Sequence, residues 1–490
     1  MNLKDVRIVM LAATLALLSA CAVGPDYVRP TVESPTAFKE LDGWKPAQPR
    51  DLEIRGKWWE AFGDPLLNSL EDQVDISNQN LAQAEAQYRQ ARALVQSARA
   101  SYFPVVTGNA SETRSRSPSN SVSTTPGRVN TERSLSLDAT WEADVWGRVR
   151  RTVESSEASA QASAADLEAV RLSAHADLAQ DYFQLRTLDA QKRLLEDTVA
   201  GYEKSLQLSQ NQYEAGVAAK ADVVLADTQL KTTQAQAIDI GVQRAQMEHA
   251  IALLVGKPPS VFSIAPSPLP LATVPPPIPV GVPSALLERR PDIAGAERRA
   301  AAANAQIGVA KSAYFPSFTL SASGGYQGTD LAHWLTAPSR FWAIGPALAE
   351  TLFDGGSRRA QTDAAVAAYD ANVAAYRQTV LNGLQEVEDN LAALRILEQE
   401  TQVQDQAVKA AQQSVQLTTN QYKAGTVSYL SVIVVQAVAL NDEQTAVNIL
   451  NRRLAASVLL IKALGGGWDA YDLSTRDAGA GSDRNGKQLN

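Results

Sequence analysis

The stretch NQYEAG at residues 211–216 recurs as NQYKAG at residues 420–425, an offset of 209 positions. The triplet YFP at residues 102–104 also returns, at residues 314–316. Self-similarity at a nearly constant offset indicates a duplicated structural unit. The sequence therefore predicts two copies of one unit of about 210 residues.

Each copy contains one run that predicts a very long helix. Arg148 to Ala215 and Ser357 to Ala424 are 68 residues each, free of proline and interrupted only by Gly201 or Gly383. At 1.5 Å per residue, either run would be about 100 Å long as one helix. The first run has an apolar stripe with about 3.55 residues per turn, so the helix is amphipathic and needs helical partners. Shorter helical runs are predicted from Leu66 to Phe103 and from Val217 to Val255.

Two short strands are predicted in each copy, within residues 104–143 and 317–349. Leu135, Leu137, Ala139 and Trp141 alternate with polar residues, as do Phe318, Leu320 and Ala322 in the second copy. This pattern fits a strand of a membrane barrel, but also a soluble antiparallel sheet with one face on a core. Four strands cannot close a barrel, so a barrel would have to be shared. Three chains would supply 12 strands and 12 helical segments.

The composition of the 490-residue chain excludes several classes of function. Lys and Arg total 45 against 53 Asp and Glu, a net charge of −8, which argues against nucleic acid as a partner. One cysteine cannot form a disulfide within the chain. His175, His249 and His333 lack the spacing of metal ligands. We therefore expect no metal, no cofactor and no enzymatic activity.

The N-terminus carries a targeting signal. Lys4 and Arg7 precede an apolar segment from Ile8 to Leu17, and residues 1–20 are predicted to be a signal peptide. Leu18-Ser19-Ala20-Cys21 resembles the bacterial lipoprotein box, which predicts lipidation of Cys21. The next residue is Ala22 and not Asp, which resembles the sorting pattern of outer-membrane lipoproteins. The alternative is an ordinary secretory signal followed by a cysteine that has no such role.

The remaining chain divides into five predicted segments. These are a lipid-anchored periplasmic segment (21–65), the first copy (66–265), a proline-rich linker (266–283), the second copy (284–468) and a disordered tail (469–490). Residues 111–130 are rich in Ser, Arg and Pro and predict an exposed loop between strands. Arg289-Arg290-Pro291-Asp292 predicts an ion-paired turn, and Gly465-Gly466-Gly467 predicts the end of a helix.

Several short motifs, in this order and spacing, resemble one known family. They are CAVGPDY at 21–27, WW at 58–59, FGDPL at 62–66, WEADVWGR at 141–148, LLERRPDI at 286–293, YFP at 314–316 and LFDGG at 352–356. The chain resembles the TolC-type outer-membrane efflux lipoproteins, in the branch that contains the nodulation proteins and OprM. The resemblance implies a trimer whose 12-stranded outer-membrane barrel is continued by an α-helical tunnel in the periplasm. It also implies the exit duct of a tripartite efflux pump, with a periplasmic adaptor and an inner-membrane transporter of the RND type as partners.

The same resemblance points to the helix tips as sites of contact and gating. Gly216, Val217, Gly425 and Thr426 are the predicted adaptor contacts, although a glycine at these positions is also an ordinary helix C-cap. Asp222 is the predicted gate residue, because three copies around an axis could form a carboxylate ring. The alternative is a surface aspartate in the first turn of a helix, where the helix dipole favours it.

Three functions remain compatible with the sequence. The first is a passive outer-membrane duct for small molecules such as drugs or toxic compounds. The second is also a duct, but one that secretes proteins. The third is a periplasmic coiled-coil scaffold without a channel.

Overall fold

The computed structural model describes residues 22–32, 35–40, 56–116, 118, 128–270, 273–278, 280 and 283–468. The predicted signal peptide, the lipidation site Cys21 and the predicted tail lie outside these residues. The chain forms two compact units, and each takes segments from both halves of the sequence. Unit 1 is Met1–Thr31, Gln87–Ser163 and Gly295–Tyr376, and unit 2 is Val32–Ala86, Ala164–Ala294 and Arg377–Asn490.

Long helices account for most of the described chain. In chain order they are α1 (Pro65–Ser77), α2 (Gln79–Ala100), α3 (Arg148–Glu214), α4 (Lys220–Leu254), α5 (Leu286–Arg289), α6 (Pro291–Ser312), α7 (Ser357–Lys423) and α8 (Tyr429–Ala463). Both α3 and α7 have 67 residues, and both α4 and α8 have 35. The two long helical predictions are therefore confirmed. Among the described helices, none is both long and apolar enough to cross a membrane.

The prediction of one helix from Leu66 to Phe103 is wrong, because the chain breaks at Asn78 into α1 and α2. Asn78 has an extended backbone (ψ 122°), and its side-chain oxygen accepts the backbone N–H of Leu81 (3.0 Å). Its side-chain amide donates to the carbonyl of Leu254 (2.8 Å). Asn78 thus caps the start of α2 and satisfies a carbonyl at the end of α4. The absence of Gly and Pro from the run concealed this break.

The apolar stripe of α3 forms a core in unit 2. Its buried residues include Leu178, Tyr182, Leu185, Leu188, Leu195 and Tyr202. Their spacing of three, four or seven residues puts them on one side of the helix. The amphipathic pattern predicted for this run is confirmed.

Unit 1 contains one antiparallel sheet with the strand order β1-β2-β3-β4. The strands are β1 (Val105–Arg116), β2 (Val129–Glu142), β3 (Ser317–Gly328) and β4 (Arg340–Ala349). Each strand joins a helix at one end. At the other end, β1 leads to β2 and β3 leads to β4. The two strands predicted in each copy are confirmed.

The loop predicted at residues 111–130 is shorter in the structure at both ends. Residues 111–116 belong to β1, and β2 begins at Val129. Ser111 lies opposite Ser134 and Arg116 lies opposite Val129, so the strand pairing continues into the polar stretch. Cross-strand backbone hydrogen bonds do not depend on apolar side chains, which is why composition alone placed the end of the strand too early.

The N-terminal segment that follows Cys21 is docked within unit 1. The Tyr27 hydroxyl donates to a carboxylate oxygen of Glu297 (2.6 Å), and Arg151 pairs with Asp26 (2.7 Å). A side chain at Gly24 would come within 2.5 Å of the backbone of Gly308. The segment is therefore held close against α3 and α6.

Candidate functional site

The first helical hairpin, α3 and α4, turns at Gly216. This glycine has φ of 75°, in the left-handed region that favours glycine. The backbone N–H of Val217 donates to the carbonyl of Gln212 (2.8 Å) and so satisfies the end of α3. The Val217 side chain is 73% exposed.

The second hairpin, α7 and α8, repeats this turn at Gly425. Its φ is 71°, and the backbone N–H of Thr426 donates to the carbonyl of Gln421 (3.0 Å). Gly425 and Thr426 are both exposed. The helix-cap interpretation of both glycines is confirmed, while contact with an adaptor remains a prediction.

Buried tyrosines join the two hairpins just behind these turns. Tyr422 and Tyr429 pack with ring centroids 5.2 Å apart, and form a buried cluster with Val432 and with Ala226 of the first hairpin. The hydroxyls of Tyr422 and Ser209 are 3.3 Å apart and share a hydrogen bond. We call Tyr422, Tyr429, Val432, Ala226 and Ser209 the tip cluster. It ties the first hairpin to the second within unit 2.

Asp222 lies beside this cluster, in the first turn of α4, and is half-buried. Burial raises the pKa of Tyr429 to about 12, and the negative charge of Asp222 contributes in the same direction. The hydroxyl of Tyr429 also shares a hydrogen bond with Ser205 of α3. Asp222 thus lies at a helix N-terminus, as expected of a surface aspartate that the helix dipole favours. Its negative charge also lies close enough to Tyr429 of the tip cluster to raise the pKa of that tyrosine.

The sequence did not predict the tip cluster, because the two tyrosines of the repeat share the same local sequence. Tyr213 and Tyr422 are equivalent in the repeat, but Tyr213 is 46% exposed and Tyr422 is 5% exposed. Tyr422 is therefore buried within the chain, whereas the equivalent Tyr213 is partly accessible. Identical local sequence cannot reveal such a difference.

The sheet of unit 1 has two chemically different faces. Residues directly opposed across an antiparallel pair share a face. One face carries Leu135, Leu137, Trp141, Leu320, Tyr326, Trp342, Ile344 and Leu348. The other is polar on β1 to β3, with Thr107, Asn109, Ser136, Asp138, Thr140, Ser321 and Ser323, and also carries Val105 and the β4 residues Phe341, Ala343, Ala347 and Ala349. On the polar face, Asn109 and Ser136 both donate to the Asp138 carboxylate (2.7 and 2.8 Å).

The apolar face is exposed in the single chain. Trp342 is 79% exposed, Ile344 65% and Leu137 64%. A contiguous apolar surface of this kind marks a region that lipid or protein covers. The single chain therefore leaves this apolar face uncovered.

Two of the three histidines, His175 and His333, each contact a carboxylate within the chain. His175 is buried, with Nδ1 2.7 Å from a Glu71 carboxylate oxygen, and its ring stacks on Trp59 at 4.3 Å. His333 pairs with Asp330 at the surface (2.7 Å). Within the described ranges, no group of three or more His, Cys, Asp or Glu could hold a metal ion.

Arg290 confirms the predicted ion-paired turn. It is buried, pairs with Asp292 (2.7 Å) and Glu386 (2.6 Å), and donates to the carbonyl of Ala463 (3.1 Å). The predicted helix end is also confirmed, because α8 stops before Gly465, whose φ is 93°.

The chain therefore belongs to the class of mainly helical proteins that carry a small antiparallel sheet, with two hairpins of 67- and 35-residue helices. The sequence profile of the outer membrane efflux protein family matches residues 70–257 and 282–466. The chain belongs to this family.

Named relatives resemble the chain over nearly its whole length. The toluene efflux pump outer membrane protein TtgC of Pseudomonas putida is 31% identical over 461 residues, covering 94% of this chain and 95% of that protein. The pyoverdine export outer membrane protein OpmQ of Pseudomonas aeruginosa is 29% identical over 484 residues, covering 97% and 100%. The solved structure of the outer-membrane channel OprN is 32% identical, with a TM-score of 0.85, and covers 91% of this chain and 100% of that one. The predicted family and the outer membrane as the location are therefore confirmed.

Proposed function

We propose that this protein is the passive exit duct of a tripartite efflux pump and exports small molecules across the outer membrane. Its partners would be a periplasmic adaptor and an inner-membrane transporter of the RND type. The sheet carries the proposal, because one face is exposed and apolar while the other is polar. Such a sheet fits lipid on one side and an aqueous channel on the other.

The edges of the sheet support an assembly of several copies. β1 and β4 are the edge strands, and each presents backbone N–H and C=O groups on one side without a strand partner among the described residues. Unpaired edges are not tolerated in lipid, so other copies have to supply the missing strands. Three chains would give a closed 12-stranded barrel, within the size range of outer-membrane barrels.

The duplication supports the same arrangement. The family profile matches the chain twice, and the helix lengths of 67 and 35 residues recur in both halves. In a trimer, two similar hairpins per chain would give six around the axis. Tyr213, exposed in the single chain, would then face the next copy.

The tips would form the entrance of the duct and bind the adaptor. Gly216, Val217, Gly425 and Thr426 are exposed at the turns, where a partner can reach them. Asp222 would take part in closing the entrance together with the tip cluster. The lipid on Cys21 would hold the N-terminal segment at the membrane, where one acyl anchor needs further contacts to be stable.

The cargo of the relatives suggests small molecules rather than proteins. One relative is named for toluene and another for pyoverdine. The duct contains no energy source of its own in this proposal, so the choice of substrate would lie with the transporter. Residues 66–265 and 284–468 would act as two similar halves joined by the linker at 266–283.

The test is reconstitution of the purified protein in planar lipid bilayers. We expect discrete conductance steps, and a host lacking its own ducts should regain efflux when this chain and a matching adaptor and transporter are present. Protein without conductance and without restored efflux would favour the scaffold hypothesis. Secretion of a protein substrate without efflux of small molecules would favour the secretion hypothesis.

A further inference from the structure

A group of arginines borders the apolar face of the sheet at the end away from the helices. On this face, Arg340 lies opposite Tyr326, and Arg133 lies opposite Gly328. On β1, Glu112 lies opposite Arg133, and Arg114 and Arg116 lie two and four residues beyond Glu112 on the same face. We call Arg114, Arg116, Arg133 and Arg340 the arginine rim.

The basic residues are confined to this one face. Among the described strand residues, the polar face carries no Lys or Arg, and its charged residues are Glu132, Asp138 and Glu142. On the apolar face, the acidic neighbour Glu112 pairs with Arg133 (3.0 Å). Arg114 and Arg340 both have exposed side chains. The rim therefore carries a net positive charge.

The rim begins where the apolar band ends. The band runs along β3 from Phe318 to Tyr326, nine residues whose eight steps of about 3.4 Å give about 27 Å along the strand. Strands of outer-membrane barrels are tilted by about 35–45°, so this stretch would rise about 20 Å, most of an apolar band that is roughly 25 Å tall. Because Arg340 is level with Tyr326 and Arg133 lies one row beyond, the arginines lie at the depth of lipid headgroups.

We propose that the arginine rim binds the phosphate groups of the glycolipid in the outer leaflet of the outer membrane. This inference rests on the proposed function, because it requires the apolar face to meet lipid and the helices to lie in the periplasm. The loop end of the sheet then faces outward, where lipid A presents two phosphates per molecule. The guanidinium fork binds phosphate oxygens in pairs and keeps its charge at all relevant pH values.

The test is native mass spectrometry of the full-length protein in detergent, titrated with bisphosphorylated lipid A. We expect the double variant Arg114→Gln/Arg340→Gln to bind lipid A about 25-fold more weakly, since each basic residue near an anionic membrane surface contributes roughly a factor of five. The control variant Arg89→Gln/Arg377→Gln removes the same charge from exposed helix positions and should bind as the wild type does.

A change in the lipid tests the same inference without altering the protein. Monophosphorylated lipid A should bind the wild type several-fold more weakly than the bisphosphorylated form. Equal binding of both lipids, or equal loss of binding in the rim and control variants, would overturn the proposal. If both variants still form conducting channels, the proposed duct stands whatever the lipid result, so the two failures are distinguishable.

Discussion

Tyr422 provides the sharpest test of how the hairpin tips are held together. It is 5% exposed and packs on Tyr429, Val432 and Ala226, with its hydroxyl 3.3 Å from that of Ser209. Replacing a buried aromatic residue by alanine costs about 3–5 kcal/mol. We take about 3 kcal/mol for Tyr422→Ala, because a cluster near the end of a hairpin can partly collapse. Tyr422→Phe removes only the hydrogen bond to Ser209, a loss of about 1 kcal/mol.

The two substitutions should therefore change the equilibrium between the closed and open duct to different extents. If the cluster holds the closed arrangement, about 3 kcal/mol shifts the equilibrium towards the open one about 150-fold, and about 1 kcal/mol shifts it about fivefold. The assay is the open probability of single channels in planar bilayers. Tyr422→Ala should open far more often than Tyr422→Phe, which should exceed the wild type.

The neighbouring Lys423 provides the control, because its side chain is exposed at the same turn. Lys423→Ala should leave the open probability close to that of the wild type. An unchanged open probability in a folded, assembled Tyr422→Ala variant would refute the role of the tip cluster in closure.

Three further predictions concern the gate, the anchor and a buried acid. Asp222→Ala should raise single-channel conductance in a bilayer, and an unchanged closed state would leave Asp222 as an ordinary helix N-terminal charge. Cys21→Ser should abolish incorporation of labelled fatty acid, and continued labelling would contradict lipidation. Burial raises the pKa of Glu71 to about 7, so its contribution to stability is present at low pH and is lost as the pH rises through about 7. Compared with the wild type, Glu71→Gln should therefore gain about 2.5 kcal/mol of stability between pH 5 and pH 8 in chemical denaturation, whereas the exposed Glu60→Gln should gain none.

Periodicity predicted the regular elements well because each depends on local pattern. The proline-free run from Arg148, with Gly201 as its one internal glycine, forms a 67-residue helix, and the alternation around Leu137 forms a strand with one apolar face. The break at Asn78 escaped prediction because it depends on a hydrogen bond to Leu254, which is 176 residues away. Contacts at such distance in sequence leave no local signal.

The candidate site was predicted less completely for the same reason. The turns at Gly216 and Gly425 could be predicted, because a glycine that follows a helical run is a local signal for the end of a helix. Tyr422 is buried because it packs against the first hairpin, a contact between distant parts of the sequence. The repeat alone would predict the same environment for Tyr213 and Tyr422. The arginine rim likewise depends on strand register, which places Arg114, Arg133 and Arg340 on one face.

The proposed duct requires three copies of this chain to assemble in one membrane barrel. Light scattering of the detergent-purified protein, combined with negative-stain imaging, measures this assembly. We predict a protein mass three times that of one chain, with a detergent belt around one end of a particle that extends roughly 100 Å beyond it, the length of a 67-residue helix. A monomer without a detergent belt would contradict the proposed duct, because the apolar face of the sheet would then not meet lipid.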